Sequence, residues 1–392
     1  MNQLHVEKLN QASQYLLEAE VDLWLILTSE GSDPALPLMT GVATVGPGAF
    51  LITKEGKRYA VCSQIDAQDI EESELFDEVY HYSKAFSEVL SSIIRNLQPN
   101  KIALNISVEE HLADGLTVGR YRWLMNVLKD VFTGEIVSAE AFLSRLRAIK
   151  SGSEIASIRE AIRVTEDIYS SVFQQMKPSM TEKQVGAIFI QEMEKRQVLN
   201  GIDRTLSMPI VMKENIAHRP PSDSVIQPGD LVIMDFSAFV NGYCSDIART
   251  VYFLKKGETE PPTEVDEAFQ AVHGAITAAA DAVKPGAQGY EVDQMAREYY
   301  QSKGYPEISH ATGHQIGRNV HDGGALLGPR WKRYGKAPYE TIEEGMVFTI
   351  EPTLFLEDNI HFIVEENVVV TKEGMEYLSN RQNELVLIPY RE

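Results

Sequence analysis

Four carboxylates and one histidine in the second half of the chain stand where they can share a cation. The stretch at 231–253 reads LVIMDFSAFVNGYCSDIARTVYF, and Asn-Gly between β-prone runs is a strong hairpin signal. A two-residue turn at Asn241-Gly242 pairs Val240 with Tyr243 and sets Ser237 opposite Asp246. Asp235 then shares a face with Asp246, as a diagonal neighbour roughly 7–8 Å away at the backbone. The stretch at 346–370, MVFTIEPTLFLEDNIHFIVEENVVV, repeats the device. A three-residue turn at Glu357-Asp358-Asn359 places Glu351 across from Glu365, and a slip of one residue would break that alignment. Facing carboxylates repel unless a cation lies between them. Any one of these acids alone would read as a solvated surface group. Apolar neighbours on both sides, as in VIMDF and FTIEP, argue for strands buried on both faces.

Three of the nine histidines, His310, His314 and His321, fall within twelve residues, among glycines that permit close backbone approach. Four carboxylates with an imidazole form an oxygen-rich donor set. It suits Mn²⁺, or Co²⁺ and Zn²⁺ by availability, and does not resemble a thiolate zinc site. The four negative charges balance two divalent ions.

The elements that must position these residues follow from periodicity. In the first part, strand signals at 21–27, 48–53, 58–62 and 101–106 alternate with helical patterns at 85–97 and 112–132, which predicts an α/β unit on a mixed sheet. The pattern changes near residue 148, where Ser151 or Ser153 can cap a helix running to about 176. Further helices are predicted at 181–196, 263–283 and 289–303, with β-prone stretches between and after them. We place two domains at 1–148 and 149–392, the expected number for a chain of 392 residues. No repeat or low-complexity linker separates them.

Composition narrows the class. The formal charge of −21, from 36 basic and 57 acidic side chains, makes nucleic acid and anionic membrane poor partners. No run approaches the length of a transmembrane helix, and the N-terminal stretch lacks the basic and apolar regions of a secretory signal. The two cysteines, Cys62 and Cys244, are far apart and in no metal-type spacing, which fits a reducing cytoplasm.

The order of these residues resembles the pita-bread metallopeptidases, which include methionine aminopeptidase, aminopeptidase P and prolidase. Asp235 and Asp246 lie in a stretch similar to the family's DxG…GYxSDxxRT, His314 in HxTGHxIG, Glu351 in GMVFTIEP and Glu365 just before VVVT. The resemblance covers 150–392. With an α/β domain before it, the chain looks like the aminopeptidase P and prolidase branch: an N-terminal creatinase-type α/β domain followed by an α+β pita-bread catalytic domain.

That resemblance implies roles. Asp246 and Glu365 would bridge two metal ions, Asp235 would complete one, and His314 with Glu351 the other. Thr250 would orient a carboxylate, and His218, His310 and His321 would line the substrate. Two divalent ions about 3.5–4 Å apart lower the pKa of a shared water toward neutrality. The resemblance implies that such a site would supply a hydroxide for the scissile carbonyl, that His321 or His218 would help to stabilise the oxyanion, and that Glu351 would shuttle the proton. The implied activity is hydrolysis of Xaa-Pro dipeptides, with aminopeptidase P action on longer peptides as the alternative. A homodimer is implied too. A creatinase-like hydrolase without metal, or a non-catalytic binding module, would show eroded ligands, whereas all five are present. One position departs from the branch: Ile363 stands where an Arg is usual, two residues before the last ligand. Arg330 and Arg333, in a basic stretch after His321, are the candidates to grip a substrate carboxylate in its place.

Overall fold

A computed structural model describes residues 2–214, 219–357 and 359–391. The chain forms two compact units, Met1–Arg147 and Ala148–Glu392.

The first unit is built on a six-stranded mixed sheet of β1 (Leu23–Ser29), β2 (Pro47–Thr53), β3 (Arg58–Ser63), β4 (Glu78–Tyr82), β5 (Lys101–Leu104) and β6 (Glu135–Ser138), in the order β4-β3-β2-β1-β5-β6. Its helices are α1 (Asn2–Glu18), α2 (Leu36–Met39), α3 (Ala67–Glu72), α4 (Phe86–Leu97), α5 (Val118–Leu128) and α6 (Glu140–Ala148). Alternate residues of β1, Leu23, Leu25 and Leu27, pack on one face against Phe86, Leu90, Ile93 and Ile94 of α4 and Leu124 and Leu128 of α5. Each such side chain, fully buried, contributes about 1.5–3 kcal/mol. The strands at 78–82 and 135–138 escape sequence reading because each is short and half exposed. A buried polar chain crosses this unit. Trp24 donates to Asn105 Oδ1 at 2.7 Å, and Asn105 Nδ2 donates to both Asp33 oxygens at 2.9 Å.

The second unit opens with two capped helices, α7 (Gly152–Gln175) and α8 (Glu182–Arg196). Ser151 is the cap of α7, in a reciprocal capping box with Glu154, and Thr181 with Gln184 repeats the motif on α8. Strands β7 (Leu199–Asn200), β10 (Ala238–Val240) and β11 (Tyr243–Cys244) make one small sheet. A four-stranded sheet runs β18-β12-β9-β8, from β8 (Ile210–Met212), β9 (Leu231–Phe236), β12 (Ile247–Phe253) and β18 (Val386–Ile388). A third joins β13 (Val347–Ile350), β16 (Glu366–Val370) and β17 (Met375–Tyr377), and β14 (Leu354–Phe355) pairs with β15 (His361–Phe362). Helices α9 (Thr263–Ala282) and α10 (Gly289–Ser302) pack on each other and supply much of the core around Phe269, Ala275, Ala296, Tyr300, Phe348 and Phe362. Among the described residues, no helix is long and apolar enough to cross a membrane.

Candidate metal centre

Both hairpins adopt the register expected from their turns. Asn241 (φ 52°) and Gly242 (φ 84°) take the two left-handed conformations of a type I′ turn. Val240 faces Tyr243, and further along Ala248 faces Asp235. Asp235 and Asp246 therefore share a face of the β9–β12 ladder. In the second hairpin Val347 faces Val369, Thr349 faces Asn367 and Leu354 faces Phe362, one unbroken register that sets Glu351 across from Glu365. The turn expected at 357–359 includes Asp358, which lies outside the described residues.

The histidine segment is laid along β13 as an extra strand. Glu351 N–H donates to Thr312 O at 2.7 Å and Thr349 N–H to His314 O at 2.8 Å. Gly313 is required there, because a Cβ at that position would sit 2.0 Å from Thr349 O. Thr349 Oγ1 accepts from His314 N–H at 3.1 Å and lies 3.4 Å from Glu351 Oε1, so one hydroxyl touches both ligand-bearing residues.

The side chains converge accordingly. One ligand atom each from Asp246, His314 and Glu365 lies within 4.8 Å of the other two. His314 Nε2 is 3.3 Å from Glu351 Oε1 and 3.5 Å from Asp246 Oδ2. Burial, then the Asp235 and Glu351 charges, push the Asp246 carboxyl well above the usual range. Burial, then Asp246, Glu351 and Asp235, do the same to Glu365. Burial followed by the Asp235 charge takes Glu351 up to about 8. The reverse holds for His314: burial and the neighbouring His321 push it down to about 3, so its imidazole is neutral. Its Nδ1 faces the Gln315 carbonyl at 3.3 Å, which assigns the proton to Nδ1 and aims the Nε2 lone pair at carboxylate oxygens. Acceptors meeting acceptors at this distance need a proton or a cation between them. Buried Glu365 Oε1 has no hydrogen-bond partner among the described residues. An orphaned carboxylate oxygen, a neutral imidazole and mutually repelling acids are what a divalent cation would satisfy, so these residues fit one.

The other candidates are placed differently. His321 stacks beside His314 with ring centroids 4.2 Å apart, on the solvent side of it. His310 has both ring nitrogens engaged, Nδ1 to Ala311 O at 2.6 Å and Nε2 to Thr353 Oγ1 at 2.8 Å, and burial lowers its pKa. What it can offer a ligand is therefore its ring edge. His218 lies outside the described residues. Buried Glu182 binds residues flanking that segment on both sides, accepting from Lys213 N–H, twice from the Arg219 guanidinium, and from Ser222 N–H and hydroxyl at 2.6–3.0 Å. Arg330 stacks on Tyr290, while Arg333 lies over Trp331 and Tyr334 and donates to Ser309 O at 2.9 Å. Ile363 packs with Ile210, Met212, Ile233 and Ala248, an apolar floor alongside Asp235, with Phe355 against it. Thr250, expected to orient a carboxylate, instead clips the backbone of Ile363, donating to its carbonyl at 2.8 Å and accepting from its N–H at 3.2 Å. The strand register explains this: Thr250 sits two residues beyond Ala248, level with Ile363 rather than with Glu365.

Three supporting residues were not legible in the sequence. Tyr169 of α7 shares its one hydroxyl proton between Met234 O and Ile247 O, at 2.9 and 2.7 Å, tying β9 to β12 beside the two aspartates. Arg249 is buried and donates to Glu365 O at 2.6 Å, and it is paired with Glu366 at 3.1 Å on the opposite face of β16. Asn367 contacts the Asp246 backbone. The one available signal was a polar residue inside an apolar run, as in IARTV and EENVV.

A two-unit chain with an acid and histidine cluster on paired hairpins is the architecture of a pita-bread metallopeptidase. Residues 156–372 match the model for metallopeptidase family M24, and the chain belongs to that family. It is 30% identical over 279 residues to the uncharacterized peptidase YqhT of Bacillus subtilis (strain 168), covering 70% of this chain and 73% of that protein. Among solved structures, the Xaa-Pro dipeptidase from Bacillus anthracis superposes with a TM-score of 0.76 at 25% identity, over 98% of this chain and 99% of its own. The X-Pro aminopeptidase from Thermotoga maritima gives a TM-score of 0.73 at 26% identity, over 96% and 98%. The chain thus has the pita-bread fold with its N-terminal α/β domain, and it is a metallopeptidase of the kind that uses divalent ions.

Proposed function

We propose that this chain hydrolyses the Xaa-Pro peptide bond with two divalent ions, manganese by donor type, and that it acts as an Xaa-Pro dipeptidase. The observation that carries the reading is the cluster of Asp246, Glu351 and Glu365 around His314, within range of the Asp235 charge, with Glu365 Oε1 lacking a hydrogen-bond partner among the described residues. Asp246 and Glu365, the most buried, are suited to bridge, Asp235 to complete one ion, and His314 with Glu351 the other. Bound ions would polarise the scissile carbonyl and lower the pKa of a water to near neutrality.

The remaining work falls to the chain. Glu351 is the most solvent-accessible of the three acids around His314, with 22% of its side chain exposed against 7% for Asp246, and is placed to carry a proton to the leaving nitrogen. His321, on the solvent side of His314, is suited to donate to the developing oxyanion, a role shared with His218. His310 forms a neutral wall. Ile210, Ile363 and half-buried Phe355 give the site an apolar side that accepts a proline ring, whose tertiary amide offers no N–H. Arg330 and Arg333 are the guanidinium groups proposed to meet the free carboxylate of a dipeptide.

One observation favours aminopeptidase P action on longer peptides as the second reading: Ile363, where the branch carries an Arg, is packed into an apolar cluster with Ile210, Met212, Ile233 and Ala248. A cytoplasmic homodimer completes the proposal. The deciding measurement is the rate on Ala-Pro beside Ala-Pro-Ala under saturating Mn²⁺, before and after chelation. Faster, chelator-sensitive turnover of Ala-Pro is expected; no metal-dependent cleavage of either peptide would overturn the reading.

A further inference from the structure

The strand β12 and the segment 363–367 run side by side in one antiparallel register, yet only their middle rung is bonded backbone to backbone. There Glu365 N–H donates to Ala248 O at 3.1 Å. At one end the Thr250 hydroxyl stands between the strands, on both backbone groups of Ile363. At the other end the Asn367 amide does the same to Asp246: Nδ2 donates to Asp246 O at 2.6 Å, and Oδ1 accepts from Asp246 N–H at 3.3 Å. Asn367 is fully buried.

A bonded ladder holds neighbouring strands roughly 4.8 Å apart. A side-chain amide inserted between two backbones keeps every polar group satisfied while holding the strands farther apart. Asn367 is two residues beyond Glu365 on its own chain, and its backbone faces Thr349, whose hydroxyl touches His314 and Glu351. One side chain therefore links the segment carrying Asp246 to the segments carrying the other ligands.

We propose that Asn367 is a positioning residue: its amide acts as a spacer that sets the separation of Asp246 from Glu365, and so the capacity of the cluster to hold two ions rather than one. The inference rests on the proposed two-ion site. It concerns length as well as bonding. Asn367→Gln keeps the donor and the acceptor but adds one methylene, whereas Asn367→Leu keeps the bulk and removes both bonds.

The test is titration of the metal-free full-length protein with Mn²⁺, followed by calorimetry and by the spin-coupled signal of a manganese pair in electron paramagnetic resonance. Wild type is expected to take up two ions and show the coupled signal; if it does not, the two-ion reading fails, and the failure is not that of the spacer. Given that behaviour, Asn367→Gln is expected to keep the metal-free melting temperature within a few degrees, while binding of one ion weakens about tenfold or more and the coupled signal is lost. Wild-type stoichiometry, affinity and coupling in Asn367→Gln would overturn the proposal. So would loss of fold in both variants, which would make the amide purely structural.

Discussion

His314 Nε2 stands 3.3 Å from Glu351 Oε1, while its Nδ1 faces the Gln315 carbonyl at 3.3 Å. Together with Asp246 at 3.5 Å, this leaves the metal-free protein with acceptors that a proton must bridge, a place that a divalent ion would take.

Metal and mutation should therefore act in opposite senses on stability. Saturating Mn²⁺, at about 100 times its Kd, is expected to stabilise the wild type by about 2.7 kcal/mol, a rise of roughly 5–10 °C in melting temperature. Asp246→Asn should melt a few degrees higher than wild type without metal, since a buried carboxyl that is costly to ionise among other acids is gone, and show little further rise with Mn²⁺. Scanning fluorimetry of both proteins with and without chelator checks this; an Mn²⁺ response surviving in Asp246→Asn contradicts it.

Asp33 supplies a pH dependence away from the site. Its burial raises the carboxyl from 3.8 to about 6, against the hydrogen bonds from Asn105 and Ala35. A folded pKa above the unfolded one means that stability is fully present below pH 3.8 and is lost as pH rises through about 6. The cost at neutral pH is about 3 kcal/mol, at 1.36 kcal/mol per unit. Urea unfolding followed by Trp24 fluorescence should show that slope between pH 4 and 6.5, and Asp33→Asn should flatten it. An unchanged slope in the variant counts against Asp33 as its source.

Arg333 tests substrate length. Held against Trp331 and Tyr334, its guanidinium is already pre-organised. Arg333→Ala is expected to raise KM about tenfold for Ala-Pro and far less for Ala-Pro-Ala, because only the dipeptide places its free carboxylate there. Equal changes on both peptides would remove Arg333 from carboxylate binding, and Arg330→Ala measured in the same way tests that residue.

Glu182 bears on the segment that carries His218. Burial pushes its carboxyl up, but the bonds from Arg219 and Ser222 outweigh this and hold it below the usual value. Glu182→Ala should cost about 3 kcal/mol, the lower end for breaking a buried pair, because Arg219 still meets Glu214. A loss under 1 kcal/mol in denaturant titration would show the clamp to be dispensable.

The hairpins were legible because their turns carry strong chemistry. Asn241-Gly242 dictates a two-residue turn, and a period of two then decides which acids share a face. The same logic placed Glu351 across from Glu365. It failed for Thr250 and Asn367, whose partners lie 113 and 121 residues away on another strand pair, beyond any local pattern. The helices with clear caps, at Ser151 and Thr181, were read closely. The short edge strands at 78–82 and 135–138, half exposed and only four or five residues long, were not.

The reach of Asn367 back to Asp246 also governs when the site can come into being. An emerging chain that has passed Asp246 holds both aspartates of the first hairpin, but the partner amide is still 121 residues from synthesis. Until that distant strand docks, two desolvation-prone acids stay hydrated and hold cations only weakly. Loop closure over such a separation is a late and slow event. On the two-ion reading proposed above, tight metal capture would be coupled to completion of the catalytic unit, and a nascent or truncated chain ending before residue 367 would be a poor competitor for metal.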